Sequence, residues 1–152
     1  MIAYFYYCNF QLGESKPLFS SPLSNTYLTA GAWSVTRPAV LYVACSDGQI
    51  LVWDFTDSSF NPSISLKATH SKITSMELLN SSASSRQQLL AVGDEVGTLH
   101  IFEVPRNLSK PVHKEESLML KFLERELQVH FYNIIIVNLL CLYDGILHML
   151  NL

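Results

Sequence analysis

Between residues 28 and 104 the apolar positions fall in short runs, each closed by Gly, Pro, Asn, Asp or Ser. Runs rich in β-branched and aromatic residues between such punctuation predict strands. LTAGAWS (Leu28 to Ser34) is the first, and Thr36-Arg37-Pro38 breaks the chain after it. VLYVAC (Val40 to Cys45) is apolar throughout, the pattern of a strand covered on both faces. Asp47-Gly48 predicts a tight turn, because Gly takes positive φ at no steric cost. Gln49 to Phe55 is then the returning strand. Ser58 to Ser63 reads as a polar loop, and Ile64 to Lys67 as a short strand suited to a sheet edge.

The series then starts again. ITSMELL (Ile73 to Leu79) matches LTAGAWS, LLAVG (Leu89 to Gly93) matches LYVAC, and GTLHIFEV (Gly97 to Val104) matches GQILVWDF. Gly48 and Gly97 stand 49 residues apart, as do Trp53-Asp54 and Phe102-Glu103. Leu28 and Ile73 are 45 apart, and the longer polar loop NSSASSR (Asn80 to Arg86) accounts for the difference. Tandem units in one strand order at this period mark a propeller-type repeat, in which each sheet relies on its neighbour to cover a face. The expected fold is all-β, a partial β-propeller of about two four-stranded blades followed by a C-terminal helix.

That helix is KEESLMLKFLERELQ (Lys114 to Gln128). Leu118 and Phe122, continued by Arg125 and Glu126, form its expected stripe, with Leu120, Leu123 and Leu127 close by. Glu115 and Glu116 fall in the first turn, where the helix dipole favours anions. The helix is expected to pack on the nearest blade. The chain thus divides into an atypical N-terminal segment (1–27), two blades (28–105), a linker and helix (106–128) and an apolar tail (129–152). The tail run FYNIIIVNLLCLY (Phe131 to Tyr143) carries Asn133 and Asn138 and stops at Asp144-Gly145, short of the roughly 20 residues of a membrane span. MIAYFYYCNFQL has no basic residue ahead of its apolar run, unlike a secretory signal. Both ends suit a truncated or alternatively spliced product. A closed propeller takes about 4 to 8 blades. Two blades alone leave faces uncovered, so the chain is expected to self-associate or to complete its ring with another chain.

Composition narrows the chemistry. Among 152 residues, 49% are hydrophobic and 15% charged, enough for a packed core. The net charge of −3 argues against a nucleic-acid partner. Cys8, Cys45 and Cys141 are too far apart for a disulfide framework or zinc spacing and read as reduced thiols of an intracellular protein. The five histidines, His70, His100, His113, His130 and His148, form no HExxH pair, and His100 reads as a surface or blade-packing residue. No G-x-S-x-G elbow surrounds Ser46. GDEVGT (Gly93 to Thr98) lacks the Gly-Lys-Ser/Thr end of a phosphate loop and joins two strands, so it is a turn, with Asp94 and Glu95 read as solvated. No catalytic, cofactor or metal set is expected. Arg37, Asp47, Lys72 and Arg86, with Arg106 and Lys110, are exposed loop residues and candidate contacts, solvated otherwise.

On these residues both units resemble WD repeats, in which a His, a Ser or Thr, a turn Asp and a Trp hydrogen-bond together. The resemblance assigns Asp47, Gly48, Trp53 and Asp54 in the first unit, which has no preceding His. It assigns His70, Asp94 or Glu95, Gly97 and Phe102 in the second, with Phe in the Trp place. Neither unit carries all four network residues. More specifically, AGAWSVTRPAVLYVACSDGQILVWDF, THSKITSM, LLAVGDEVGTLHIFEVP and KEESLMLKFLERE are similar to the last repeats of axonemal dynein intermediate chains of inner-arm type. The similarity spans about residues 28–126 and rests on the G-x-W-S-x-T-R-P opening strand and the G-D-x-x-G-T hairpin. It implies a non-catalytic scaffold of the cytoplasm and the ciliary or flagellar axoneme. Its implied partners are dynein heavy chain, a second intermediate chain and light chains, with the motor ATPase on the heavy chain. Light-chain sites would lie ahead of the propeller. The alternative is a cytoplasmic WD-repeat adaptor unrelated to cilia. An enzyme or a membrane protein finds no support in the residues.

Overall fold

The computed structural model describes residues 6–7, 19–22, 25–80, 87–129 and 132. In chain order the strands are β1 (Tyr6–Tyr7), β2 (Phe19–Ser20), β3 (Leu28–Trp33), β4 (Val40–Cys45), β5 (Gln49–Asp54), β6 (Ile64–Lys67), β7 (Ile73–Asn80), β8 (Gln88–Asp94) and β9 (Leu99–Glu103). A short helix α1 (Arg106–Ser109) follows, and a second, α2, runs over 115–129. The tail beyond it apart from position 132, the loop residue Arg86, and Cys8 and Cys141 lie outside the described residues.

β1 and β2 pair with each other; β3-β4-β5-β6 and β7-β8-β9 are two antiparallel sheets in simple sequence order. The repeat extends to fine detail. Ala44 faces Ile50 and Gly93 faces Leu99, the same register one period apart. The first strand of each sheet is bulged, at Leu28/Ala30 and at Ile73/Ser75. In each bulge a threonine hydroxyl donates to the neighbouring strand, Thr29 to the Ala44 carbonyl at 3.3 Å and Thr74 to the Gly93 carbonyl at 3.2 Å.

Burial follows the period of 2. Val40, Tyr42, Ala44, Ile50 and Val52 of the first sheet pack on Ile73, Leu78, Leu90 and Val92 of the second, with Val104 and Leu108 closing the seam. Each fully buried Val or Ile contributes about 1.5–3 kcal/mol, so this seam is the main cohesive element between the sheets. The opposite face of the first sheet gathers Leu41, Val43 and Trp53 against Leu28, Leu51 and Phe55. β4 is therefore covered on both sides, as its unbroken apolar run requires.

Among the described residues the second sheet has three strands rather than the expected four. After β9 the chain meets Pro105, which has no N–H to give a sheet, and turns into α1, whose Leu108 enters the seam. The helix contacts also differ from the expectation. α2 buries Met119, Phe122 and Leu123 against Ala39, with Phe55 and Leu127 alongside, so it crosses back to the first blade. Leu118 and Leu120, placed with the apolar stripe by spacing, are 47% and 60% exposed.

Candidate functional site

Both tight turns are built alike. The Gly48 N–H donates to the Cys45 carbonyl and the Gly97 N–H to the Asp94 carbonyl, each at 3.1 Å. Both glycines have positive φ, 82° and 86°. The first turn is further fixed by Asp47, whose Oδ1 accepts from the Gln49 backbone (3.1 Å) and Oδ2 from the Gln49 amide (2.8 Å).

The segment leaving β6 passes directly under this turn, with the Ala68 and Thr69 N–H groups donating to the Gly48 carbonyl. Thr69 then reaches the second turn, where its hydroxyl donates to Asp94 Oδ2 at 3.2 Å. Asp94 also accepts from the Val96 and Thr98 N–H groups and lies 3.0 Å from His100 Nε2. The hydrogen bond to His100, aided by those from Thr98, Thr69 and Val96, outweighs desolvation and holds the carboxyl below its ordinary range. This corrects the reading of Asp94 as solvated: it is buried, and four groups converge on its carboxyl, two from its own turn, one from the segment after β6 and one from β9. Glu95 is exposed. His70 is exposed too, and the bond to Asp94 comes from its neighbour Thr69. His100, from the next strand, completes the cluster and stacks on Phe102 with centroids 6.4 Å apart. No sequence signal pointed to Thr69, and only a weak one pointed to His100, the inward alternation of β9.

Trp53 is buried with Leu41 and Val43, and Phe102 lines the seam. Asp54 is engaged elsewhere, by Arg37. That arginine, expected on an exposed loop, is 3% exposed, which is the second correction. Its Nη1 meets Asp54 Oδ2 at 2.8 Å and its Nε meets Glu115 Oε1 at 3.0 Å and Oε2 at 3.2 Å. It also donates to the Asn107 carbonyl and the Thr56 hydroxyl. The loop carrying Arg37 is closed by Ser34, whose hydroxyl accepts the Arg37 N–H at 3.2 Å. Burial disfavours the guanidinium charge, but the hydrogen bond to Glu115 and the charges of Asp54 and Glu115 outweigh it and raise the pKa above its usual value. Glu115 Oε2 also accepts the Val112 N–H. One buried guanidinium thus ties the end of the first blade to the start of α1 and to the first residue of α2.

Among the described residues no three of His, Cys, Asp and Glu converge on a point, and no helix is long and apolar enough to cross a membrane. Cys45 is a buried free thiol whose pKa burial pushes up. The surface best suited to a macromolecular partner is the outer face of the second sheet. Leu99, Ile101 and Leu79 are 67%, 52% and 46% exposed there. The Asp94 N–H donates to the Thr98 carbonyl and the Val104 N–H to the Gln88 carbonyl. Even-numbered backbone groups of β9 therefore face β8, and those of Leu99, Ile101 and Glu103 face the open edge. In the first sheet the matching edge of β5 is covered by β6, with Ile50 opposite Leu66 and Val52 opposite Ile64.

Residues 12–104 match the family described as the dynein axonemal intermediate chain 3 WD40 domain. The Mus musculus protein named dynein axonemal intermediate chain 3 is 38% identical over 112 residues, which are 74% of this chain and 12% of that protein. Dynein axonemal intermediate chain 2 of Mus musculus is 32% identical over 100 residues, 66% of this chain and 15% of the relative. A Heliocidaris crassispina protein named dynein intermediate chain 3, ciliary, is 31% identical over 101 residues, 66% and 16% of the two chains. The chain spans about an eighth of the length of the first of these relatives.

Proposed function

Because the chain belongs to the dynein axonemal intermediate chain 3 WD40 domain family, we propose that it is a non-catalytic scaffold segment of an inner-arm dynein of the ciliary or flagellar axoneme. It binds dynein heavy chain and other subunits through blade surfaces. The observation that carries this reading is the outer face of the second sheet: a strand edge that no other described strand pairs, beside exposed Leu79, Leu99 and Ile101. An apolar patch with open backbone groups favours protein over small-molecule partners. Where the partner is absent, the same face supports self-association.

The test is co-purification of the tagged full chain from an axonemal extract, with Leu99→Lys/Ile101→Lys as the comparison. Recovery of dynein heavy chain by the parent, reduced several-fold by the double substitution, supports the reading. Equal recovery by both chains, or none by either, removes this face from it.

A further inference from the structure

Between the loop at 55–63 and α2 lies a groove of about 430 Å³, lined on one side by Thr56, Ser58 and Ser59 and on the other by Lys121 and Arg125. Two of the three hydroxyls are committed to the loop. Thr56 donates to Asp54 Oδ1, and Ser58 Oγ accepts from the Phe60 and Asn61 N–H groups at 3.3 Å each. Ser59 takes part in neither arrangement. Lys121 is exposed and has no carboxylate within ion-pair distance among the described residues. Among the described residues the one carboxylate that Arg125 pairs with is its neighbour Glu126, at 3.0 Å and with 59% of the arginine side chain exposed, a kind of pair that contributes little in water; its guanidinium also lies 5.3 Å from the centroid of the Phe122 ring. The groove therefore sets an uncommitted hydroxyl across from two weakly engaged cations, on elements far apart in sequence.

We propose that Ser59 is a phosphorylation acceptor and that Lys121 and Arg125 hold its phosphate, fastening the middle of α2 to the first blade. In the transfer, Ser59 Oγ attacks the γ-phosphorus of a nucleoside triphosphate carried by a protein kinase. The Oγ–P bond forms, the bond from that phosphorus to the bridging oxygen breaks, and the nucleoside diphosphate leaves with the electron pair. The hydroxyl proton passes to the kinase's base. The loop suits a kinase cleft: it is bent rather than helical or paired, and Phe60 beside the acceptor is 75% exposed. Asp57 lines the same groove and repels the phosphate, and Glu126 competes for Arg125. Two cations outweigh the one carboxylate in the groove, and a phosphoserine of charge about −1.5 to −2 attracts them more strongly than Glu126 does. Arg37 already anchors the first residue of α2 through Glu115, so a second tie one to three turns on resists detachment of the whole helix.

The test uses the full chain with phosphoserine placed at position 59, alone and in the Lys121→Gln/Arg125→Gln background. Phosphorus NMR titration is expected to show the second phosphate ionisation below its ordinary value near 6, and to show it moving back up in the double variant. Amide exchange over 115–129 is expected to slow roughly two- to fivefold on phosphorylation, the range an exposed charge pair supplies. The same ionisation in both backgrounds, or unchanged or faster exchange, overturns the phosphate-holding role. Mass spectrometry of protein from its own cells decides the acceptor. Phosphate on Ser59 supports it, and complete coverage of 55–67 with Ser59 unmodified overturns it.

Discussion

At Gly48 a β-carbon would stand 2.1 Å from the Thr69 carbonyl oxygen, whereas at Gly97 nothing lies within 4 Å of one. Both residues have the same left-handed backbone, so strain of about 1–2 kcal/mol is common to the two. Gly97→Ala is expected to cost about that much in urea unfolding. Gly48→Ala is expected to cost clearly more, because the chain crossing under the turn must also shift. Tyr42 gives the opposite kind of prediction. Among the described residues its buried hydroxyl has no hydrogen-bond partner, and such a group costs about 1–3 kcal/mol. Tyr42→Phe is therefore expected to be neutral or stabilising in the same assay. Burial, with Asp54 adding to it and Arg37 opposing, pushes the Tyr42 pKa up to about 12. The unfolded chain loses this proton near pH 10 and the folded chain later. The folded state thus binds more protons between those values, and stability falls as pH rises through that window. The Tyr42→Phe variant should lack that component of the alkaline loss.

The elements depend on one another most visibly at Arg37. Its two carboxylate partners come from β5 and α2, and both it and Glu115 are almost fully buried. Removing one member of such a set leaves an uncompensated charge, at a cost of about 3–5 kcal/mol. Arg37→Ala and Glu115→Ala are each expected to destabilise by about that much, while the double variant should cost less than the sum. Amide exchange over 115–129 should accelerate in both single variants, because among the described residues the other hold of α2 on the blade is the apolar packing of Met119, Phe122, Leu123 and Leu127. A double-mutant cycle that sums without coupling would contradict the clamp.

For the whole molecule, the decisive feature is an imbalance between its two outer faces. On the first sheet, Leu41, Val43 and Trp53 are buried, at 7%, 3% and 3% exposure. On the second, Leu99 and Ile101 stand beside an open strand edge. Exposed edges of this kind pair with other chains unless charge blocks them. The isolated chain is expected to sediment above its monomer mass at micromolar concentration, and Leu99→Lys/Ile101→Lys to bring it back toward the monomer. A monomeric parent under these conditions would contradict self-association through this face.

Local pattern was enough for strands β3 to β9, their order, the turn glycines and the doubling of the unit, though not for the missing fourth strand of the second sheet among the described residues. These are written in local terms: a period of 2, a Gly where φ must be positive, and a spacing of 49 residues repeated at two places. The same residues carried the likeness to dynein intermediate chains that the family match bears out. What the polar residues do became visible only in the folded chain. Arg37 looked like a loop charge because its partners lie 17 and 78 residues away, and no local pattern encodes such a meeting. Asp94 looked solvated for the same reason, since Thr69 reaches it from the segment that joins the two sheets. The helix chose the first blade over the nearer second one. That choice depends on the shape of a surface that exists only once both sheets have stacked. Apolar burial is non-directional and can be read from pattern, whereas a buried charge needs particular atoms within hydrogen-bond reach, and only the folded chain brings them there.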